Sequence, residues 1–118
     1  MRPGRLRKSQ DIARVYQHGE SYANALLRLK VLRRGPDRAE PRAAIVTSAK
    51  VGKAVTRNRV RRRLREIIRL ECEPAYAVDM VVTAKPAAAD ADFRALERAA
   101  VALFGRAGLR RALRANGE

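Results

Sequence analysis

Lys50-Val-Gly-Lys53-Ala-Val-Thr-Arg57-Asn58-Arg59-Val60-Arg61-Arg62-Arg63-Leu64-Arg65-Glu66-Ile67-Ile68-Arg69 reads as a turn at Gly52 followed by an amphipathic helix. On a helical wheel Val60, Leu64, Ile67 and Ile68 share an arc of about 100°, enough to seat a helix on a sheet. Seven arginines and one acid lie between Arg57 and Arg69. The pairs Arg57/Arg61, Arg61/Arg65 and Arg65/Arg69 each repel by about 0.2–0.5 kcal/mol. A helix that accepts this penalty repeatedly is shaped for a polyanion rather than for its own stability. Arg57 falls inside the apolar arc by angle and is expected to point off the helix end. With Arg59 it is expected to be exposed.

The flanks of this helix are strands. Ala43 to Ser48 upstream is apolar, and Tyr76 to Ala84 downstream is a nearly continuous apolar run suited to a central, two-sided position. A strand-helix-strand unit is therefore built around the arginines. Further upstream, Tyr22 to Arg33 alternates, with Leu27, Leu29 and Val31 against Arg28 and Lys30, giving a strand with one cationic face. The turn-rich segment 33–42 predicts that this strand pairs with Ala43 to Ser48 as a hairpin. Ser9 stands where a helix N-cap belongs, with Asp11 in the first turn, Ile12, Val15 and Tyr16 at helical spacing, and Gly19 at the stop. Pro74 closes the arginine helix. Asp90 is the expected N-cap of a last helix whose stripe is Phe93, Leu96, Ala100, Leu103 and Phe104. Residues 1–8 read as a loose basic arm, and 106–118 as a frayed tail or separate short helix. The expected architecture is one domain over 1–118, an α/β two-layer sandwich with helices covering a small mixed sheet.

Composition supports a polyanionic partner. The chain carries 27 basic and 12 acidic side chains, a formal charge of +15 on 118 residues. Such a charge repels itself unless a polyanion or solvent accommodates it. Most of the basic residues are arginine, which suits bidentate phosphate contacts, although the alanine-rich composition points equally to a codon bias. No apolar stretch approaches the roughly 20 residues that span a bilayer, and the basic start leads to no apolar signal segment, so a cytoplasmic protein without a membrane partner is expected. The single cysteine, Cys72, has no partner for a disulfide or a zinc site and reads as filler at a helix end. His18, beside Gly19, reads as a capping residue rather than a base. Asp90 and Asp92 read as caps rather than metal ligands. Lys50-Val-Gly-Lys53 lacks the spacing of a phosphate loop. No catalytic residue, no metal site and no cofactor held by the protein alone are expected.

The chain resembles the protein subunit of bacterial ribonuclease P, the ribonucleoprotein that removes 5′ leaders from precursor tRNA. The resemblance rests on Arg5-Leu6-Arg7-Lys8-Ser9 with Asp11, on His18-Gly19 and Ala23-Asn24, and on Ser48-Ala49-Lys50-Val51-Gly52. It continues through Arg57-Asn58-Arg59 within Ala54-Val-Thr-Arg-Asn-Arg-Val-Arg-Arg, and Val81-Val82-Thr83-Ala84-Lys85-Pro86. Each fragment is weak, but their order and spacing together are specific.

The resemblance implies the order αβββαβα with the arginine-rich helix in a left-handed βαβ crossover, where general handedness predicts a right-handed one. It implies an RNA-binding cofactor of an endonuclease whose catalyst is the RNA subunit, with Mg²⁺ bound mainly through RNA. The implied partners are the catalytic RNA, in a 1:1 complex with a protein monomer, and precursor tRNA. Lys50, Lys53, Arg57, Asn58, Arg59, Arg61, Arg62 and Arg65 would face the catalytic RNA. A cleft bearing Ile12, Tyr16, Arg28 and Lys30 would receive the leader. Tyr16 keeps an aromatic ring able to stack on a base. Ile12 stands where relatives often carry Phe, and Lys30 where some carry an aromatic, which moves the expected leader contact toward the charges of Arg28 and Lys30. Core packing of the first helix explains Ile12 equally well. The competing class is a ribosomal protein or general basic RNA chaperone, which shares the charge and the small α/β fold. A nuclease in its own right would need a base or metal cluster that the sequence lacks.

Overall fold

Val78–Ala84 organises the sheet, because six of its seven residues are buried and a strand apolar on both faces must lie between neighbours. In the computed structural model, which describes residues 2–34 and 40–110, the elements are β1 (Gly4–Arg5), α1 (Ser9–His18), β2 (Glu20–Ala23), β3 (Leu27–Arg33), β4 (Arg42–Thr47), α2 (Ala54–Glu71), β5 (Val78–Ala84) and α3 (Phe93–Arg106). Single 3-10 turns occupy Ala49–Val51 and Pro86–Asp90. The sheet order is β1-β4-β5-β3-β2, mixed in direction. β5 runs parallel to β4 and antiparallel to β3.

That order corrects the expected hairpin between Tyr22–Arg33 and Ala43–Ser48, since β5 is inserted between β3 and β4. The burial of β5 explains it: an edge position would leave its apolar faces or its backbone groups exposed. The true hairpin joins β2 and β3, pairing Tyr22 with Leu29 and Ala23 with Arg28. Asn24 makes its turn, its Oδ1 accepting from the N–H of Leu26 at 3.2 Å and of Leu27 at 3.0 Å.

The two faces of the sheet differ. Leu27, Leu29, Val31, Met80, Val82 and Ala84 pack with Val60, Leu64, Ile67 and Ile68 of α2 and with Leu96, Ala100, Leu103 and Phe104 of α3 in the main core. The apolar arc expected on the arginine helix is thus the buried one. On the opposite face a smaller cluster, Leu6, Val15, Ala44 and Val81, seats α1.

Three boundaries differ from expectation. Lys8, not Ser9, caps α1, and no side chain accepts there. Asp92, not Asp90, caps α3, its Oδ1 accepting from Ala95 N–H at 2.8 Å, because Asp90 is consumed in the 3-10 turn. The basic arm is pinned rather than loose: Gly4 and Arg5 pair in parallel with Arg42 and Ala43, and Leu6 is buried. Of the expected tail, Leu109 is buried and its carbonyl accepts from Glu73 N–H at 2.8 Å; residues 111–118 lie outside the described part. Gly19 does end α1, but through space rather than torsion, its φ being −79°. A Cβ there would lie 2.6 Å from the carbonyl oxygen of Val15 and 3.0 Å from that of Val31.

Candidate nucleic-acid interface

The N-terminal end of α2 is electropositive by construction. Gly52, at φ 146°, turns the chain out of the 3-10 turn that Ser48 opens by accepting from Lys50 N–H. The helix then starts at Ala54 with no acid in its first turn and no side chain capping it at Lys53. The positive end of the helix dipole therefore adds to Lys50 and Lys53. Both lysines are exposed, as are Asn58, Arg62 and Arg65.

The remaining arginines of α2, Arg57 apart, are hydrogen-bonded within their own protein. Arg61 donates to Asn58 Oδ1 at 3.1 Å and to Thr47 Oγ1 at 2.6 Å, tying the helix to the end of β4. Arg59 donates to the Ala89 carbonyl at 3.3 Å and Arg63 to the Ala91 carbonyl at 3.2 Å, tying it to the loop before α3. Arg57 does not project from the helix end: it is half-buried, with an Nε that is buried and lacks a hydrogen-bond partner. The expected exposure of Arg57 and Arg59 therefore does not hold. Both are half-buried, and Arg59 is tied to the Ala89 carbonyl. Arg69 pairs with Glu66 at 2.6 Å, and that hydrogen bond holds the exposed Glu66 carboxyl below its usual range. Lys50, Lys53, Arg62 and Arg65 are then cations of the ridge without an intramolecular hydrogen bond or ion pair from their side chains among the described residues.

The second region lies where α1 crosses the other face of the sheet. Tyr16 is 42% exposed and Ile12 is half-buried beside the small cluster. Arg28 is exposed on β3, on the same sheet face as Thr83 of β5 and Ala23 of β2, its direct cross-strand partners. Lys30 is placed differently from an open cleft residue. Its Nζ donates to the Tyr16 carbonyl at 2.7 Å, satisfying one of the unpaired carbonyls in the last turn of α1. Tyr16 and Lys30 are thus joined in space, while Ile12 also lines a cavity of about 790 Å³ with Val46, the arm and Arg65 of α2.

Sequence reasoning missed an ionic network beneath α1. Asp79 is 2% exposed and accepts from Arg42 Nε at 2.9 Å and Nη2 at 2.7 Å, with Arg34 Nε at 3.2 Å. Arg42 Nη1 reaches Asp11 Oδ2 at 3.3 Å. The hydrogen bond that Arg42 donates to Asp79 raises the Arg42 pKa, against the opposing effect of burial. The one signal in the sequence was Asp79 standing inside an apolar strand. Two resembling fragments, Ala23-Asn24 and Lys85-Pro86, also meet: Lys85 Nζ donates to the Asn24 carbonyl at 2.6 Å, and Asn24 Nδ2 to the Ala99 carbonyl at 3.0 Å. These residues hold the β2–β3 turn to β5 and α3. Cys72 is buried, and desolvation pushes its thiol up to about 12, which removes it as a nucleophile. Among the described residues no group of three His, Cys, Asp or Glu could hold a metal, and no helix is long and apolar enough to cross a membrane.

A helix-covered mixed sheet with an exposed cationic helix end on one side and a charged cleft on the other defines a small basic nucleic-acid-binding protein. The chain belongs to the ribonuclease P protein family, whose model, Ribonuclease P, matches residues 1–108. It is 40% identical over 97 residues to the ribonuclease P protein component of Clostridioides difficile strain 630, covering 79% of this chain and 82% of that one. It is 41% identical over 104 residues to that of Acidothermus cellulolyticus, covering 86% of both. The fold is similar to the RNase P protein of Staphylococcus aureus, with TM-score 0.80 and 25% identity over 91% of this chain and 97% of that chain. It is also similar to that of Thermotoga maritima, with TM-score 0.75 and 29% identity over 86% and 96%. The chain is accordingly a tRNA-processing subunit of an endoribonuclease complex, partnered with ribonuclease P RNA. The ribosomal and chaperone reading is not favoured.

Proposed function

We propose that this protein grips two RNAs and contributes no bond-breaking group, the RNA subunit being the catalyst. The α2 ridge, with Lys50, Lys53, Asn58, Arg62 and Arg65 outermost and Arg57, Arg59 and Arg61 behind them, would hold the catalytic RNA. The α1 cleft, with Ile12, Tyr16, Arg28 and Lys30, would hold the 5′ leader of precursor tRNA. Mg²⁺ would serve the holoenzyme through RNA oxygens, in a cytoplasmic 1:1 complex of protein and RNA. The observation that carries this reading is the α2 N-terminus, where helix dipole and exposed cations coincide with no acid in the first turn of the helix. Phosphate oxygens are the natural complement of that arrangement. About seven phosphate contacts would give a log-log salt slope near −5. The test is affinity for leader-bearing precursor tRNA against mature tRNA, with the RNA subunit present, together with cleavage at low Mg²⁺. Tighter binding of the precursor and rescued cleavage are expected. Equal affinities with and without the protein would refute the leader role, and cleavage by the protein alone would refute the division of labour.

A further inference from the structure

Helix α1 forms one wall of the cleft yet buries only Val15 completely. The cluster under it is small, Leu6, Ala44 and Val81, with Ile12, Leu32 and Val46 partly buried. Apolar contact is non-directional. It holds a ten-residue helix down without fixing its angle or its height over the sheet.

The directional contacts are charged and stand at the two ends of the helix. In its first turn Asp11 takes a hydrogen bond from Arg42, whose guanidinium is locked by the two-point bond to Asp79; Arg34 Nε stands 3.2 Å from Asp79 Oδ1. In its last turn the Tyr16 carbonyl takes the Lys30 ammonium. Arg42 lies on β4 and Lys30 on β3, the strands on either side of β5. The two ties therefore pull the ends of α1 toward opposite sides of the central strand and fix how it crosses. The charges also balance locally: Asp79 and Asp11 face Arg34 and Arg42, and Arg14 stands 3.6 Å from Asp11. Two carboxylates can thus sit under the cleft without leaving it negative toward a phosphate chain.

We propose that Asp79, Arg42 and Asp11 are positioning residues that set the spacing between the α1 side chains and the cationic strand β3, and so the fit of an unpaired 5′ strand. This rests on the cleft being the leader site. Asp11→Asn is the informative variant, because it removes the charge from the last link, together with the exposed Arg14 pair, and leaves the Arg42–Asp79 pair in place. Three quantities are measured: amide hydrogen exchange across the free protein, affinity for the RNA subunit, and the affinity ratio of leader-bearing to leaderless tRNA in the holoenzyme. Exchange in α1 is expected to rise several-fold while β3 and β5 keep their protection. The leader ratio is expected to fall by about tenfold, the low end of what one charged hydrogen bond contributes. Affinity for the RNA subunit should be unchanged. Unaltered α1 exchange, or an equal loss for both tRNAs, overturns the proposal. A wild-type protein with no leader advantage overturns the cleft reading itself, and the exchange result then shows separately whether the relay holds the helix.

Discussion

Replacing Arg62 and Arg65 together by Ala separates ligand binding from folding on α2. Both side chains are exposed, and neither makes a hydrogen bond or ion pair among the described residues. The change removes one helical attraction, Arg62 to Glu66, and four repulsions, Arg62 with Arg59 and with Arg65, and Arg65 with Arg61 and with Arg69, each about 0.2–0.5 kcal/mol. The net effect on stability is neutral to favourable by up to about 1.5 kcal/mol, so Tm should not fall. Binding responds differently. At a slope of about −0.8 per phosphate contact, each contact multiplies affinity by about four to five between 1 M and 0.15 M salt, so two lost contacts cost about twentyfold at 0.15 M. The log-log slope should become shallower by about 1.6. The assay is titration of the ribonuclease P RNA at four or more salt concentrations, beside a thermal melt. A control pair, Arg59→Ala with Arg63→Ala, frees the carbonyls of Ala89 and Ala91. It should cost about 1–2 kcal/mol and lower Tm by about 5–15 °C. An unchanged slope in the first pair, or a melt that falls as far as in the control, would refute this division of the arginines.

Gly19→Ala should destabilise by about 1–3 kcal/mol or more, measured by urea unfolding, because the new methyl meets two backbone carbonyls that cannot step aside; an unchanged midpoint would show that α1 can shift. Cys72 should resist a thiol reagent at pH 8 in the native protein and react on unfolding, given its burial. Its folded pKa of about 12 stands above the ordinary 9.0, so the unfolded thiol loses its proton first. Its contribution to stability is present below about pH 9 and is lost as pH rises toward 12. Cys72→Ser should flatten that alkaline loss in a pH series of urea midpoints. Leu64→Ala, under the centre of α2, should cost about 2–5 kcal/mol by the same measurement.

Much of the fold was legible because periodicity reports burial directly. Val60, Leu64, Ile67 and Ile68 had to share a face, and β5 had to be central, whatever the rest of the chain did. Strand order was not legible in the same way. β3 and β4 are adjacent in sequence and separated by turn residues, the pattern of a hairpin, and only the demand of β5 for two neighbours keeps them apart. The cap at Asp92 rather than Asp90 was a choice between two competent residues. It was settled by a 3-10 turn with no periodic signature.

The candidate site divides along the same line. A cationic helix end with no acid is a property of the residues Lys50 to Arg65 and could be read from them. Which arginines stay free depends on carbonyls and hydroxyls that arrive from elsewhere: Thr47, Ala89 and Ala91 take Arg61, Arg59 and Arg63, while Arg62 and Arg65 have none within reach. Lys30 reads from the sequence as a cleft cation, and its bond to the end of α1 exists only in the folded chain. Asp11, Arg42 and Asp79 are far apart in the chain, and no short-range pattern marks them as one network. Local spacing thus decided the family resemblance, the buried faces and the sign of the charge. Long-range contact alone decided how that charge is spent, because hydrogen bonding acts over a few ångströms and those neighbours exist only once the sheet has formed.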